Sequence, residues 1–430
     1  MKGFLCFITF LLPGFACAAP PNVVLILSDD QSWHDYSFMG HSVIQTPRLD
    51  QFAKESLTYT RGYVTSPLCR PSLASIFTGL ATPRHGITGN DISVDPGDQK
   101  INSQRSRVSE KYAPRHEHLY GEFRKHPNLA RLLGEAGYLT LQTGKFWEGD
   151  PKLSGFTHAM THGDPTRGGR HGDEGLRVSR EGIAPIKSFL DQSKADKKPF
   201  FIWHAPFLPH TPHNPPQALY DKYLKLEPNK YIARYYAMVE WFDQTCGELF
   251  DELDSRGLAE NTIILYVTDN GWIQSPNGGH YAPLSKQDPH DGGVRTPIMV
   301  KWQGTIEPKM DQETLVSAID LAPTILKACG VDVPKTMPGL DLRDQEALKK
   351  RNIVFGFDGN HDISDWQKST TNLETRYVVQ GDWKLLDHVG KADELYNISA
   401  DPWEKKNLIE EKPKKVAALT KALDAWWKPE

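Results

Sequence analysis

Two hydrophobic runs of this chain end in acids. Val23-Val24-Leu25-Ile26-Leu27 leads into Ser28-Asp29-Asp30, and Ile263-Ile264-Leu265-Tyr266-Val267 leads into Thr268-Asp269-Asn270-Gly271. Short continuous apolar runs rich in β-branched residues predict buried parallel strands. Ligands of parallel sheets bind off the carboxyl ends of such strands. Side by side, these two ends would gather three carboxylates and an amide. Unpaired, that much negative charge repels itself. A divalent cation removes the repulsion, and an all-oxygen donor set points to Ca²⁺ or Mg²⁺ rather than Zn²⁺. For either strand alone the plainer reading is an acid that caps the following helix.

A cysteine sits in the run Ser66-Pro67-Leu68-Cys69-Arg70-Pro71-Ser72-Leu73-Ala74-Ser75-Ile76-Phe77-Thr78-Gly79. Pro71 reads as a first helical position, and Leu73, Ile76, Phe77 and Leu80 supply a helix period. Cys69 then lies at a helix N-terminus, where free amides and the dipole favour an anion. By itself the run fits a buried thiol before an ordinary helix equally well. Basic groups follow other predicted strands. Lys145 follows Gly144 after the strand Tyr138 to Gln142, and Lys286 precedes Asp291-Gly292-Gly293-Val294-Arg295-Thr296-Pro297. Near an anion such lysines stabilise charge; singly they read as surface residues. His210 sits in the proline-stiffened stretch Leu208-Pro209-His210-Thr211-Pro212-His213. A histidine held there has the chemistry to protonate a leaving oxygen, and the alternative is a histidine-rich surface loop.

The elements that must position these groups alternate. Helices are predicted over Pro47 to Ala53, Asn128 to Ala136 and Tyr231 to Arg256, and further strands over Pro199 to His204, Thr262 to Thr268 and Ile298 to Trp302. That alternation implies a mostly parallel sheet covered by helices. Asn90 to His118 and Thr161 to Gly175 lack periodicity and read as long loops at a pocket rim or on mobile surface. From about Arg351 the texture changes to short strand-like pieces, then a last helix from Pro413 to Trp427. The expected division is a leader over residues 1–19, a catalytic α/β domain over 20–350 and a small antiparallel-sheet-plus-helix subdomain over 351–430.

The 430 residues suffice for one large domain and a smaller one. A net charge of −4 gives no argument for nucleic acid. Lys2, the apolar stretch Phe4 to Phe15 and the small residues Ala16 to Ala19 read as a secretory signal peptide, shorter than a membrane span needs. No other apolar run reaches membrane length. A lipidated Cys17 is the minor alternative. Cys246 and Cys329 read as core thiols, so no disulfide framework is expected.

Taken in order, these motifs resemble the sulfatase family, together with Glu394-Leu395-Tyr396-Asn397 and Asp401-Pro402-Trp403-Glu404-Lys405-Lys406-Asn407-Leu408 near the end. The resemblance implies an alkaline-phosphatase-like α/β fold. It implies that a formylglycine-generating enzyme converts Cys69 to formylglycine. It also implies that Asp29, Asp30, Asp269 and Asn270 bind Ca²⁺ (or Mg²⁺) together with residue 69. Lys145 and Lys286 would hold the sulfate, His210 and Lys286 would assist the departing alcohol, and Asp269 would act as base. His85 and Arg295 are assigned to substrate. Two departures stand out: Leu73 replaces the family's Arg, and Trp147 replaces its His in the Gly-Lys-x-His segment. Leu73 and Trp147 are expected to pack together, with His85 or His34 taking over proton removal. The expected substrate is a sulfated carbohydrate outside the cytoplasm, secreted or periplasmic, with Trp272 available to stack on sugar rings. The alternatives are a phosphodiester or phosphonate hydrolase on the same fold, and an inactive sulfated-glycan-binding homologue.

Overall fold

The computed structural model describes residues 19–429. The leader reading, Cys6 and Cys17 fall almost wholly on residues 1–18, outside the described part. The fifteen strands are β1 Asn22–Ser28, β2 Leu57–Tyr63, β3 Asp91–Ile92, β4 Leu139–Gly144, β5 His158–Ala159, β6 Phe200–Ala205, β7 Thr262–Thr268, β8 Arg295–Lys301, β9 Lys309–Asp311, β10 Val316–Ser317, β11 Ile353–Gly359, β12 Asp362–Ile363, β13 Leu373–Gln380, β14 Trp383–His388 and β15 Glu394–Asn397.

Nine of them build one sheet in the order β10-β2-β8-β7-β1-β6-β4-β5, with β9 pairing β2. Only β8 runs against the others. β1 shows why the central strands read as unbroken apolar runs. Val23, Leu25 and Leu27 enter the core on one face, and Val24 and Ile26 enter the core on the other. A strand buried on both faces has no polar side to alternate with. β7 divides in the same way, Ile263, Leu265 and Val267 against Ile264 and Tyr266.

The helix Lys230–Ser255 covers one face. Asn229 caps it by accepting from the Tyr231 and Ile232 amides at 3.0 and 3.3 Å. Met238, Phe242, Cys246, Leu249 and Leu253 form its inward stripe. The helix Cys69–Thr78 lies on the other face with all ten residues buried. Gly79 ends it in the left-handed conformation, φ 66°.

The second sheet runs β11-β13-β14-β15, antiparallel throughout. The helix Pro413–Trp426 packs Leu419 and Leu423 onto its Val378, Leu385 and Leu395. Among the described residues no helix is long and apolar enough to cross a membrane.

Two expectations need correction. The stretch Asn90 to His118, read as loop, contains the start of a helix, Ala113–Lys125. Its buried His116, Leu119, Tyr120 and Phe123 have helical spacing, but the charged residues within and beside it, Arg115, Glu117, Glu122, Arg124 and Lys125, mask the stripe. The helix Cys69–Thr78 begins two residues before the expected Pro71. The Asn90 side chain accepts the Arg70 amide at 2.9 Å and so satisfies a donor of the extra turn.

Candidate active site

β1, β4, β6 and β7 point their carboxyl ends the same way, and the chemistry-bearing residues follow them there. Asp29 and Asp30 follow β1, Lys145 follows β4, His210 lies in the loop after β6, and Asp269 and Asn270 follow β7. Cys69 arrives as the first residue of its helix, and Lys286 from the loop before Asp291. One ligand atom each from Asp29, Asp30, Cys69 and His210 lies within 4.8 Å of the others.

Two lysines bridge the acids. Lys145 Nζ lies 2.6 Å from Asp29 Oδ1 and 3.5 Å from Asp269 Oδ2. Lys286 Nζ lies 2.6 Å from both oxygens of Asp30 and 3.3 Å from Cys69 Sγ. Burial disfavours both ammonium charges, yet Asp29 for Lys145 and Asp30 for Lys286 hold each pKa above its ordinary value. Burial pushes the Cys69 thiol up to about 12, so at neutral pH it is a protonated thiol. His210 is held well below the usual imidazole range by burial, then by Lys145 and Lys286. Its Nδ1 meets the Thr211 carbonyl at 2.6 Å, which leaves Nε2 facing Asp30 Oδ2 at 3.4 Å.

The donor set fits a hard cation. Asp29 Oδ2 and Asn270 Oδ1 are buried acceptors with no hydrogen-bond partner. Asp269 Oδ1 is fixed by the Asp30 and Asn270 amides at 3.1 and 2.7 Å. Orphaned buried oxygens are costly unless something coordinates them.

Behind Cys69, a second layer fixes the geometry. The Arg70 guanidinium grips Glu148 through two 2.7 Å bonds, wholly buried. That fork ties the Cys69 helix to the segment that carries Lys145. Leu73 and Trp147 line one cavity of about 10 Å³ with Lys145 and Trp203, near the lower limit for a single water. The Trp147 ring has Arg170 at 5.1 Å, Lys145 at 5.9 Å and Arg107 at 6.0 Å from its centroid. At the position where the resemblance leads one to expect a His, this chain has an aromatic face among cations.

A family model matches most of this sequence. The model described as Sulfatase covers residues 21–331, and one described as N-sulphoglucosamine sulphohydrolase, C-terminal, covers 279–426. The chain belongs to the sulfatase family. It is 27% identical to N-acetylgalactosamine-6-sulfatase of Mus musculus over 362 residues, an alignment covering 75% of this chain and 65% of that protein. The chain thus spans about 65% of the length of the mammalian relatives of that name from mouse, dog and rat. An ulvan-active sulfatase of Formosa agariphila is 25% identical over 431 residues, with 90% and 77% of the two chains covered. A crystal structure of Ps i-CgsB in complex with k-i-k-neocarrahexaose superposes with a TM-score of 0.73 at 22% identity, covering 96% of this chain and 94% of that one. The alkaline-phosphatase-like α/β fold expected from the motifs is the fold observed.

The structure places several of the sequence-predicted residues differently from expectation. His85 is 1% exposed and fully engaged. Its Nε2 meets Ser75 Oγ at 2.8 Å and its Nδ1 accepts the Ile87 amide at 3.1 Å. It is a packing residue with no surface to offer a substrate, and burial pulls its pKa down to about 3. His34 contacts Trp33, His41 and Trp403, and its side chain makes no hydrogen bond or ion pair to the Cys69 cluster among the described residues. Trp272 is 4% exposed, so it offers no open ring to a sugar. It forms a wall beneath Lys286, whose Nζ lies 5.6 Å from its centroid. Arg295 stands outside the Cys69 cluster, with its guanidinium 4.2 Å over Trp33. Glu148 and Arg107 carry no local sequence signal for these positions, whereas Arg170 and His171 lie on the Thr161 to Gly175 stretch expected at a pocket rim or on mobile surface. His171 packs 4.6 Å from Trp147 and 5.9 Å from His210, on the loop expected at the pocket rim.

Proposed function

We propose that this protein is a secreted or periplasmic enzyme that hydrolyses a sulfate ester on a sulfated oligosaccharide or polysaccharide. The observation that carries the reading is the pair of orphaned oxygens, Asp29 Oδ2 and Asn270 Oδ1, beside a helix-start cysteine held by Lys286. The saccharide part is supported by the relatives' names, which cite N-acetylgalactosamine and ulvan, and by the neocarrahexaose complex of the structural neighbour.

Formylglycine made from Cys69 by a formylglycine-generating enzyme would supply a hydroxyl nucleophile, and Ca²⁺ or Mg²⁺ held by Asp29, Asp30, Asp269 and Asn270 would supply positive charge for the sulfate oxygens. The chain's own groups do the rest. Lys145 and Lys286 balance charge that builds on the sulfate in the transition state. The Arg70–Glu148 fork keeps position 69 and Lys145 in register. As the ester S–O bond breaks, the leaving alcohol oxygen takes a proton from His210 Nε2; because Nδ1–H is given to the Thr211 carbonyl, Nε2 carries that proton only as the imidazolium, which forms once the anionic sulfate offsets the charges of Lys145 and Lys286 that, with burial, hold the pKa down.

Two outcomes test the proposal. His210→Ala lowers kcat/KM on alkyl sulfates about 100- to 10,000-fold, and lowers it much less on 4-nitrophenyl sulfate, whose leaving group needs little protonation. Equal losses on both esters would remove His210 from that role. The matured protein turns over 4-nitrophenyl sulfate faster than 4-nitrophenyl phosphate, phosphodiester or phosphonate esters, and EDTA stops it reversibly. Faster phosphorus-ester turnover would favour the hydrolase alternative. Binding of sulfated saccharide with no turnover of any ester would make it a binding protein.

A further inference from the structure

The stretch Thr161 to Gly175 is built against the strand end that delivers Lys145. The Phe146 amide donates to the His171 carbonyl at 2.7 Å, and Thr161 Oγ1 donates to the Gly172 carbonyl at 2.6 Å. Gly172 and Gly175 press onto Gly144. A Cβ on either would stand 2.7 or 2.6 Å from the Gly144 carbonyl oxygen, too close for any side chain. This approach carries the His171 ring into the wall around Lys145. Lys145 Nζ lies 5.9 Å from the Trp147 ring centroid and 5.7 Å from that of Phe207. The His171 ring packs on the same two rings, at 4.6 and 5.3 Å, and lies 5.9 Å from His210.

The two nitrogens of His171 are not equivalent. Arg170 Nη1 lies 2.9 Å from Nε2. A guanidinium only donates, so Nε2 accepts and the ring proton sits on Nδ1. Arg170 is held in turn by Asp91, which its Nε meets at 2.9 Å and its Nη2 also contacts. Nδ1–H makes no hydrogen bond to another described residue, and His171 is partly exposed. Burial, then Arg170, Lys145, His210 and Lys286, hold its pKa well below the usual imidazole range. Here His171 differs from His210. A bound sulfate offsets the two lysines for both rings, but a proton on His171 Nε2 would point at the Arg170 guanidinium. His171 therefore stays a neutral donor.

The structure assigns His171 to the sulfate: its Nδ1–H donates to a non-bridging sulfate oxygen beside Lys145, with Arg170 and Asp91 fixing the tautomer. The assignment rests on the sulfatase reading and adds a catalytic residue to that same site. His171 is neither acid nor base there. It steadies the charge that grows on the sulfate oxygens, and no proton changes place.

The test uses the matured, Ca²⁺-loaded protein, with 4-nitrophenyl sulfate as substrate and inorganic sulfate as ligand. Neither carries a sugar. His171→Phe keeps a ring against Trp147 and Phe207 and removes the donor; Arg170, 24% exposed, can turn its freed N–H to water. His171→Asn restores an N–H near the place of Nδ1. His171→Phe is expected to lower kcat/KM on 4-nitrophenyl sulfate about a hundredfold and to weaken inorganic sulfate binding about tenfold. His171→Asn is expected to stay within about fivefold of the parent in both readouts. Both melting temperatures stay within a few degrees of the parent. A His171→Phe variant within about threefold of the parent in both readouts overturns the assignment, since the ring would then only pack or touch sugar. Equal losses in the two variants also overturn it, because the donor would carry no part of the effect. If the parent turns over no sulfate ester while His171→Phe alone loses sulfate affinity, the hydrolase reading fails and the assignment of His171 to sulfate stands.

Discussion

Cys69→Ala is expected to lower turnover of 4-nitrophenyl sulfate at least about a thousandfold, with a melting temperature within a few degrees of the parent. The thiol is buried at 1% exposure and contacts Lys286 and Asp30 at 3.3 and 3.9 Å. Truncation removes one atom and leaves the lysine–carboxylate pairs in place. The pair between Lys286 and Asp30 does not depend on sulfur, so stability changes little. The nucleophile, in contrast, has no substitute nearby: Leu73 and Trp147 bring no hydroxyl or base, and both His85 ring nitrogens are engaged. Residual activity within tenfold of the parent would show that the ester is cleaved by some other group.

Lys384→Met is expected to cost about 3–5 kcal/mol of stability, the usual price of stranding buried charge. Lys384 Nζ lies 2.8 Å from Asp291 Oδ1 and 3.0 Å from Glu404 Oε1, and all three side chains are at most 2% exposed. The cluster joins the second sheet, through β14, to the short segment that follows the Lys286 loop. Glu404 also accepts the Asp291 amide. Removing only the ammonium leaves two carboxylates facing each other away from water. The triple variant Lys384→Met, Asp291→Asn, Glu404→Gln should recover part of the loss, because the two facing carboxylates are gone while Arg295 gives up its Asp291 partner at 3.6 Å. Denaturant unfolding of the two variants checks this. Equal destabilisation of both would mean that packing of the lysine stem, and not its charge, carries the effect.

The parts of this architecture that the sequence shows are those with a local signal. β1 and β7 are legible because strands buried on both faces are continuous apolar runs, and the acids that follow them lie where a parallel sheet binds ligands. The orientation of β8 is not legible, since Ile298 to Val300 look the same in either direction. The helix Ala113–Lys125 is hidden by its charged outer face. The Arg70–Glu148 fork spans 78 positions and leaves no mark on either segment. Leu73 and Trp147 are visible as departures from a motif, but the shared cavity and the ring of cations around Trp147 exist only in three dimensions. His85 shows the opposite error: a histidine near a motif looked chemical, and the fold uses both its nitrogens for packing.

The central claim is that position 69 carries the reaction as formylglycine, although Leu73 stands where the family has Arg. It is tested most directly by mass spectrometry of the tryptic peptide Gly62 to Arg84, from protein made in its native host or with a formylglycine-generating enzyme. The account predicts a peptide lighter by about the mass of one water and reactive with a hydrazide. An unmodified thiol at Cys69 in protein that still hydrolyses sulfate esters would contradict it.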